Sequence, residues 1–467
     1  MKRARTKKKY IALLTAVCAV GSLLIVALCS YLERNDFAPS FGSLSPEVLY
    51  ILAILFLLLP VLLTVFIIFA FTKKNTVKVI SADPVKETED TAEEGEEQAE
   101  KKPKENTDGK RFPTLTEIDA RKSKYIRSAY DDNMTLKTFC ENFRNYAAYK
   151  RKLYYDISDI RRFIAGLAVS HIAILQGMSG TGKTSLAYAF GEFVDNSSTV
   201  IPVQPMWKER TDLLGYYNEF TKRFNETTLL EKMYEANYSK DIYITVLDEM
   251  NIARVEYYFA EFLSTLELPN SEERYLQVVS DTWESDPKQL AEGKIHVPSN
   301  MWFIGTANND DSTFAISDKV YDRAMIMDLD KKAEPFNAPK VKKIRLSAER
   351  FDALAEAAQR EYKMTKRNLR RLEEMDKYMI EHFHITFGNR IMKQIRTYIP
   401  VYVACGGEEL DALDDILSKK VLRKLEMQNP IYIKNAAEGF ISYLDELFGE
   451  ENMQACKAFM RRLEKNA

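Results

Sequence analysis

The chain has 467 residues, with 66 Lys and Arg against 68 Asp and Glu, and is 46% hydrophobic and 29% charged. That length accommodates two or three folded units. The near-balance of charge, formally −2, excludes a globally basic nucleic-acid binder, a collagen-like chain and a wholly disordered one. Five cysteines without any C-x-x-C spacing supply neither a zinc site nor a disulfide framework, which fits a reducing compartment.

In chain order, residues 1–9 are basic (Lys2, Arg3, Arg5, Lys7, Lys8, Lys9) and residues 10–32 are apolar and uncharged. As a helix the second stretch is about 33 Å long, enough to cross a bilayer. After a loop at 33–47, residues 48–71 form a second uncharged run of about 36 Å, whose Pro60 a membrane helix tolerates as a kink. The flanking cations, with Lys73, Lys74 and Lys78 after the second run and only Arg34 between the two, orient both ends toward the cytoplasm. A signal peptide is the alternative for the first run, although no A-x-A site follows it. The expectation is therefore a two-helix transmembrane hairpin, a lipid bilayer as partner, and an inner or plasma membrane location with the bulk of the chain cytoplasmic. Residues 72–125 read as an acidic, disordered linker. Asp83, Glu87, Glu89, Asp90, Glu93, Glu94, Glu96, Glu97 and Glu100 precede Lys101, Lys102 and Lys104 there, with little to bury.

The apolar run HIAILQ at 171–176 breaks at GMSGTGKT, 177–184, and resumes as the helical pattern SLAYAF at 185–190. This is G-x-x-x-x-G-K-[ST] in a strand, loop and helix context. Gly177, Met178, Ser179, Gly180, Thr181, Gly182, Lys183, Thr184 and Ser185 are thus candidate phosphate-binding residues. Their backbone N–H groups would turn inward around the anion at a helix N-terminus. Lys183 would reach the β- and γ-phosphates of ATP, and the Thr184 hydroxyl would sit on Mg²⁺.

A second apolar run, IYITVL at 242–247, delivers Asp248 and Glu249 at its C-terminal end, the edge where open α/β sheets bind ligands. Asp248 is the candidate for holding hydrated Mg²⁺, and Glu249 for orienting and deprotonating the attacking water. A third run, MWFIGT at 301–306, leads to Asn308, suited to fixing that water. Arg323 stands just before a fourth apolar run, either as a finger for a neighbouring subunit's nucleotide or as a partner of Asp322 or Asp318.

With these motifs the chain resembles an AAA+ ATPase of the dynein-related type, in the branch of the MoxR chaperones and McrB-type motor subunits. The resemblance spans 153–425 and rests on GMSGTGKT at 177–184, DLLGYYN at 212–218, LDEMNIARVEYY at 247–258 and FIGTAN at 303–308. It implies an α/β fold, a P-loop NTPase core of parallel sheet flanked by helices over 126–335, with an α-helical lid and C-terminal helices over 336–467. It further implies that Asn308 is similar to sensor 1, that Arg323 is similar to a trans-acting arginine finger, and that copies form a ring, a hexamer. FGNR at 387–390 resembles the sensor 2 position, making Arg390 a γ-phosphate contact, with a salt bridge inside the lid as the alternative.

Around these motifs, Trp207, Lys208, Arg210, Tyr216 and Tyr217 are aromatics and cations suited either to gripping a polymer or to packing. Asn251, Arg254 and Glu256 either relay nucleotide state or brace the next helix. His382 and His384 have no metal-ligand spacing, and the acceptor patterns at Asn133 and Asn225 would not meet the glycosylation machinery in a cytoplasmic domain. The expected activity is Mg²⁺-dependent ATP hydrolysis coupled to remodelling of an unknown protein client. Two alternatives stand beside it: a nucleic-acid motor or defence component of McrB-like type, and a nucleotide-dependent switch.

Overall fold

The computed structural model describes residues 109–127, 129–131, 133–308, 313–330 and 333–466. Helix α1 (Pro113–Ala120) opens with a proline at its first turn and buries Leu115 and Ile118 beside Phe112, whose ring stacks on Phe224 at 4.8 Å. The expected linker therefore gives way to folded chain well before residue 125. Phe112, Leu115 and Ile118 recur every third residue and make one apolar helical face amid charges. Arg111 ahead of them is buried, donating to both carboxylate oxygens of Asp286 at 2.7 and 2.6 Å and to Asp281 at 3.0 Å.

Helix α2 (Leu136–Arg151) starts where Thr135 Oγ1 accepts from the Thr138 N–H, and α3 (Ile157–Val169) where Asp156 accepts from the Ser158 N–H at 2.8 Å. Such caps satisfy amides the helix itself leaves unpaired. There follow β1 (Ile172–Gly177), α4 (Lys183–Phe193), β2 (Thr199–Pro202), the hairpin β3 (Gly215–Asn218) and β4 (Arg223–Glu226), α5 (Thr228–Ala236), β5 (Tyr243–Asp248) and α6 (Ala260–Thr265). A small antiparallel sheet of β6 (Tyr275–Gln277), β7 (Leu290–Ala291) and β8 (Lys294–His296) precedes β9 (Met301–Asn308) and β10 (Met325–Asp328).

The main sheet has the order β10-β1-β9-β5-β2, every neighbouring pair parallel. Its central strands are apolar on both faces because helices cover both. Ala173, Leu175, Ile244, Val246, Trp302 and Ile304 face one core, shared with α2, α3, α4 and the C-terminal helices. Ile172, Ile174, Leu247, Met301 and Phe303 face the other, shared with α1, α5 and α6. Strand periodicity of two sends successive residues to opposite sides.

The C-terminal helices are α7 (Ala348–Glu361), α8 (Lys366–Phe383), α9 (Gly388–Ala404), α10 (Glu409–Lys420), α11 (Pro430–Phe448) and α12 (Gln454–Asn466). The last two, α11 and α12, are parted at Gly449, whose φ is 95°. His384 caps α8 in the left-handed region, and among the described residues no group of three or more His, Cys, Asp or Glu is arranged to hold a metal ion.

The expected membrane location is corrected: no helix among the described residues is long and apolar enough to cross a membrane. A span needs about 20 residues apolar all round. The longest described helix, α11, has 19 and alternates buried Ile433, Ala437 and Phe440 with exposed Lys434 and Glu438. The segments 10–32 and 48–71, on which the hairpin rested, lie outside the described residues, as do 1–9, 33–47 and the linker up to 108.

Candidate active site

The parallel sheet brings the C-terminal ends of β1, β5 and β9 side by side, so residues far apart in sequence meet at one edge. Gly177 at the end of β1 is in register with Asn308 at the end of β9, and Leu247 of β5 with Gly305 of β9. From that edge the chain turns through exposed Met178, Ser179 and Gly180 into α4. Gly177, Gly180 and Gly182 have φ of 139°, 78° and 96°, conformations that side chains resist. A Cβ on Gly177 would also meet the Leu329 carbonyl oxygen at 2.6 Å. Thr181 Oγ1 closes the loop on the Met178 carbonyl at 3.0 Å, and Ser185 lies half-buried in the first turn of α4.

Lys183 is buried, and its Nζ donates to the carbonyls of Gly177 at 2.9 Å and Met178 at 2.8 Å, inside the curl of the loop. Thr184 Oγ1 donates to Asp248 Oδ1 at 2.6 Å. The same carboxylate oxygen accepts from Thr306 Oγ1 at 2.8 Å, and that hydroxyl in turn accepts the Glu249 N–H at 2.9 Å. Glu249 is exposed and left-handed, φ 53° and ψ 47°, an uncommon conformation for a non-glycine residue, with the Thr306 bond tying its backbone to β9. Asn251 is buried and donates through Nδ2 to the Asn308 carbonyl and to Thr313 Oγ1, both at 2.9 Å, which links the turn after β5 to the end of β9.

Arg323 and Arg390 lie elsewhere. Met325 of β10 is in register with Ala173 of β1, so Arg323 stands level with His171, six residues before Gly177. At about 3.3 Å per residue the two are about 20 Å apart along the strand direction. Arg323 pairs with Glu267 at 2.7 Å rather than with Asp318 or Asp322, and Arg390 pairs with the same carboxylate at 2.6 Å rather than inside the lid. The backbone before β10 is clamped by the C-terminal helices. Gln394 Nε2 donates to the Asp322 carbonyl at 3.0 Å, and buried Lys420 donates to the Tyr321 carbonyl at 2.7 Å and also to Ala324. Burial pulls the Lys420 ammonium down to about 7.

Three contributors were not singled out by the sequence. Thr306 lies within FIGTAN at 303–308 but shows there only as a hydroxyl in an otherwise apolar run. Tyr155, whose hydroxyl donates to the Gly182 carbonyl at 2.9 Å and whose pKa burial raises, braces the loop from the start of α3. Glu267 is an ordinary surface carboxylate by sequence. Of the aromatics, Trp207 packs edge-on against Tyr258 and Tyr217 against Trp283, whereas Tyr216 is exposed.

A G-x-x-x-x-G-K-T loop after an interior strand of a parallel sheet, with paired carboxylates at the same C-terminal edge two strands away, defines a P-loop NTPase core. Residues 172–324 match the AAA domain, dynein-related subfamily, so the chain contains an AAA+ ATPase domain. Residues 340–466 match a domain of unknown function, DUF8727. Among curated proteins none matches the chain. Of solved structures, a "putative ATPase" from Cytophaga hutchinsonii ATCC 33406 is similar at 12% identity, covering 65% of this chain and 90% of that one, with a TM-score of 0.41. A full-length MCM homolog from Methanopyrus kandleri is similar at 10% identity over 62% of this chain and 61% of its own, with a TM-score of 0.34.

Proposed function

We propose that the chain hydrolyses ATP at sites shared between copies in a ring and couples the motion to a protein client. The carrying observation is the network in which Thr184, Asp248, Thr306 and Glu249 are joined by hydrogen bonds of 2.6 to 2.9 Å at the mouth of the 177–184 loop. A hydroxyl beside a carboxylate, both oxygen donors, suits Mg²⁺ with its retained waters and phosphate oxygens. When bound, that ion would neutralise charge building on the phosphates. Lys183 and the loop amides bind the triphosphate, Glu249 takes the proton of the attacking water, and Asn308 orients that water. The nucleoside lodges in a cleft of about 890 Å³ lined by Asp156, Asp159, Arg162, Phe336, Lys419 and Arg462, a volume in the range of small-molecule sites.

Arg323 and Arg390 stand at the opposite edge of the sheet, so they serve a neighbouring copy's phosphates. The client reading rests on the β3–β4 hairpin, where Phe220 at the turn is 97% exposed. Of the nearby cations, Arg210 pairs with Glu261 and Lys222 with Glu219, which favours a polypeptide over a nucleic-acid backbone.

The test is the turnover per copy of full-length protein against protein concentration, with ATP and GTP, alone and with DNA. A rate that climbs with concentration, prefers ATP and ignores DNA is expected. An equimolar mixture of Arg323→Ala and Lys183→Ala proteins should hydrolyse faster than either alone. Absent turnover in demonstrably assembled protein would favour the switch.

A further inference from the structure

Arg323 and Arg390 come from different parts of the chain, one ahead of β10 and one in the first turn of α9, yet both end on one carboxylate. Glu267 Oε2 takes Arg323 Nη2 and Oε1 takes Arg390 Nη2, so each carboxylate oxygen holds one guanidinium. Two guanidiniums this close repel one another unless a carboxylate lies between them. With Glu267 there, the trio keeps one net positive charge, and the Arg390 side chain remains 48% exposed.

The backbone beneath Arg323 is already held. The Ser170 hydroxyl donates to the Arg323 carbonyl at 2.8 Å, Gln394 holds the Asp322 carbonyl, and Lys420 holds those of Tyr321 and Ala324. The direction of the arginine side chain is what is left to set. Its Nη1 donates to the Lys319 carbonyl at 2.7 Å, and Glu267 fixes the other end of the fork.

We infer that Glu267 is a positioning residue that holds Arg323 and Arg390 side by side as a two-pronged clamp for the γ-phosphate of ATP bound to a neighbouring copy. This rests on the shared-site reading above. An ordinary surface ion pair contributes little, and under that description removing Glu267 would leave turnover untouched.

The experiment uses full-length Glu267→Gln and Glu267→Ala, assayed for kcat, KM, binding of a fluorescent ATP analogue, and melting temperature. Misdirected arginines should lower kcat about 10- to 100-fold, while KM and analogue binding stay within about threefold and melting within about 2 °C, since exposed pairs add little stability. Mixing either variant with Lys183→Ala should restore part of the turnover, because the Lys183→Ala copy presents an intact trio to the variant's intact loop. A merely structural defect would not be rescued in this way. If the Arg323→Ala and Lys183→Ala mixture rescues but the Glu267 variants turn over normally, or lose turnover without rescue, the inference is overturned and the shared site stands. If the Arg323→Ala mixture itself fails, the shared-site reading falls and takes this inference with it.

Discussion

Replacing Thr306 by Val tests the core of the site with a side chain of nearly the same shape. Thr306 is 2% exposed, and its hydroxyl both donates to Asp248 and accepts the Glu249 N–H. The first bond, to an ionised acceptor, is worth about 1.5–3 kcal/mol, and leaving a poorly solvated N–H unpaired costs about 1–3 kcal/mol. Relaxation of Glu249 out of the left-handed region returns roughly 1 kcal/mol, so the net effect is about 1.5–5 kcal/mol. Part of it appears as lower stability. The remainder appears as a misplaced Glu249, for which a loss of about 1.4–2.7 kcal/mol from the transition state means 10- to 100-fold slower turnover. Lys183 and the loop are untouched, so ATP affinity should change less than threefold. Single-turnover hydrolysis and equilibrium binding of labelled ATP, beside urea unfolding, separate these terms. Wild-type turnover in Thr306→Val would refute the view that this hydroxyl ties the acidic pair together.

Glu249→Gln should bind ATP as tightly as wild type while hydrolysing at least about 100-fold more slowly, read from the nucleotide retained after gel filtration. Gly177→Ala should lose about 2 kcal/mol or more in urea unfolding, since its Cβ meets a backbone carbonyl at positive φ. Gly180→Ala, whose Cβ has nothing within 4 Å, should lose only about 1 kcal/mol. Lys420→Met should alter the pH dependence of stability. Between pH 7 and 9 the buried lysine sheds its proton while the unfolded one, near 10.4, keeps it. The unfolded state then binds more protons, and wild type gains up to about 1.4 kcal/mol per pH unit relative to the variant. Asp322, Arg390, Arg423 and Lys424 act on the same position in both proteins, so a pH-independent difference between them would refute the assignment.

Much of the site was legible because its geometry is local. A phosphate-binding loop needs glycines at fixed offsets between a strand and a helix, and GMSGTGKT carries them within eight positions. Asp248 and Asn308 could be read as candidates because each ends an apolar run, and in a parallel sheet such ends share one edge. The start of the folded chain was harder to see. Phe112, Leu115 and Ile118 sit among charges, and Arg111 finds Asp281 and Asp286 only after the intervening chain has folded. Pro60 and the apolar runs around it follow a composition rule about solvent, which does not by itself establish a location.

The sequence by itself determined the strand, loop and helix around residues 177–184, the carboxylates at a strand end, and the alternation that buries both faces of the sheet, because each depends on spacings of a few residues. Tertiary structure alone decided that Thr306 joins Asp248 to Glu249, that Tyr155 braces the loop, and that Arg323 and Arg390 meet on Glu267. Those contacts depend on the register of parallel strands and on helices packing from distant parts of the chain, and a side chain's partner across such a gap is set by geometry that no local spacing encodes.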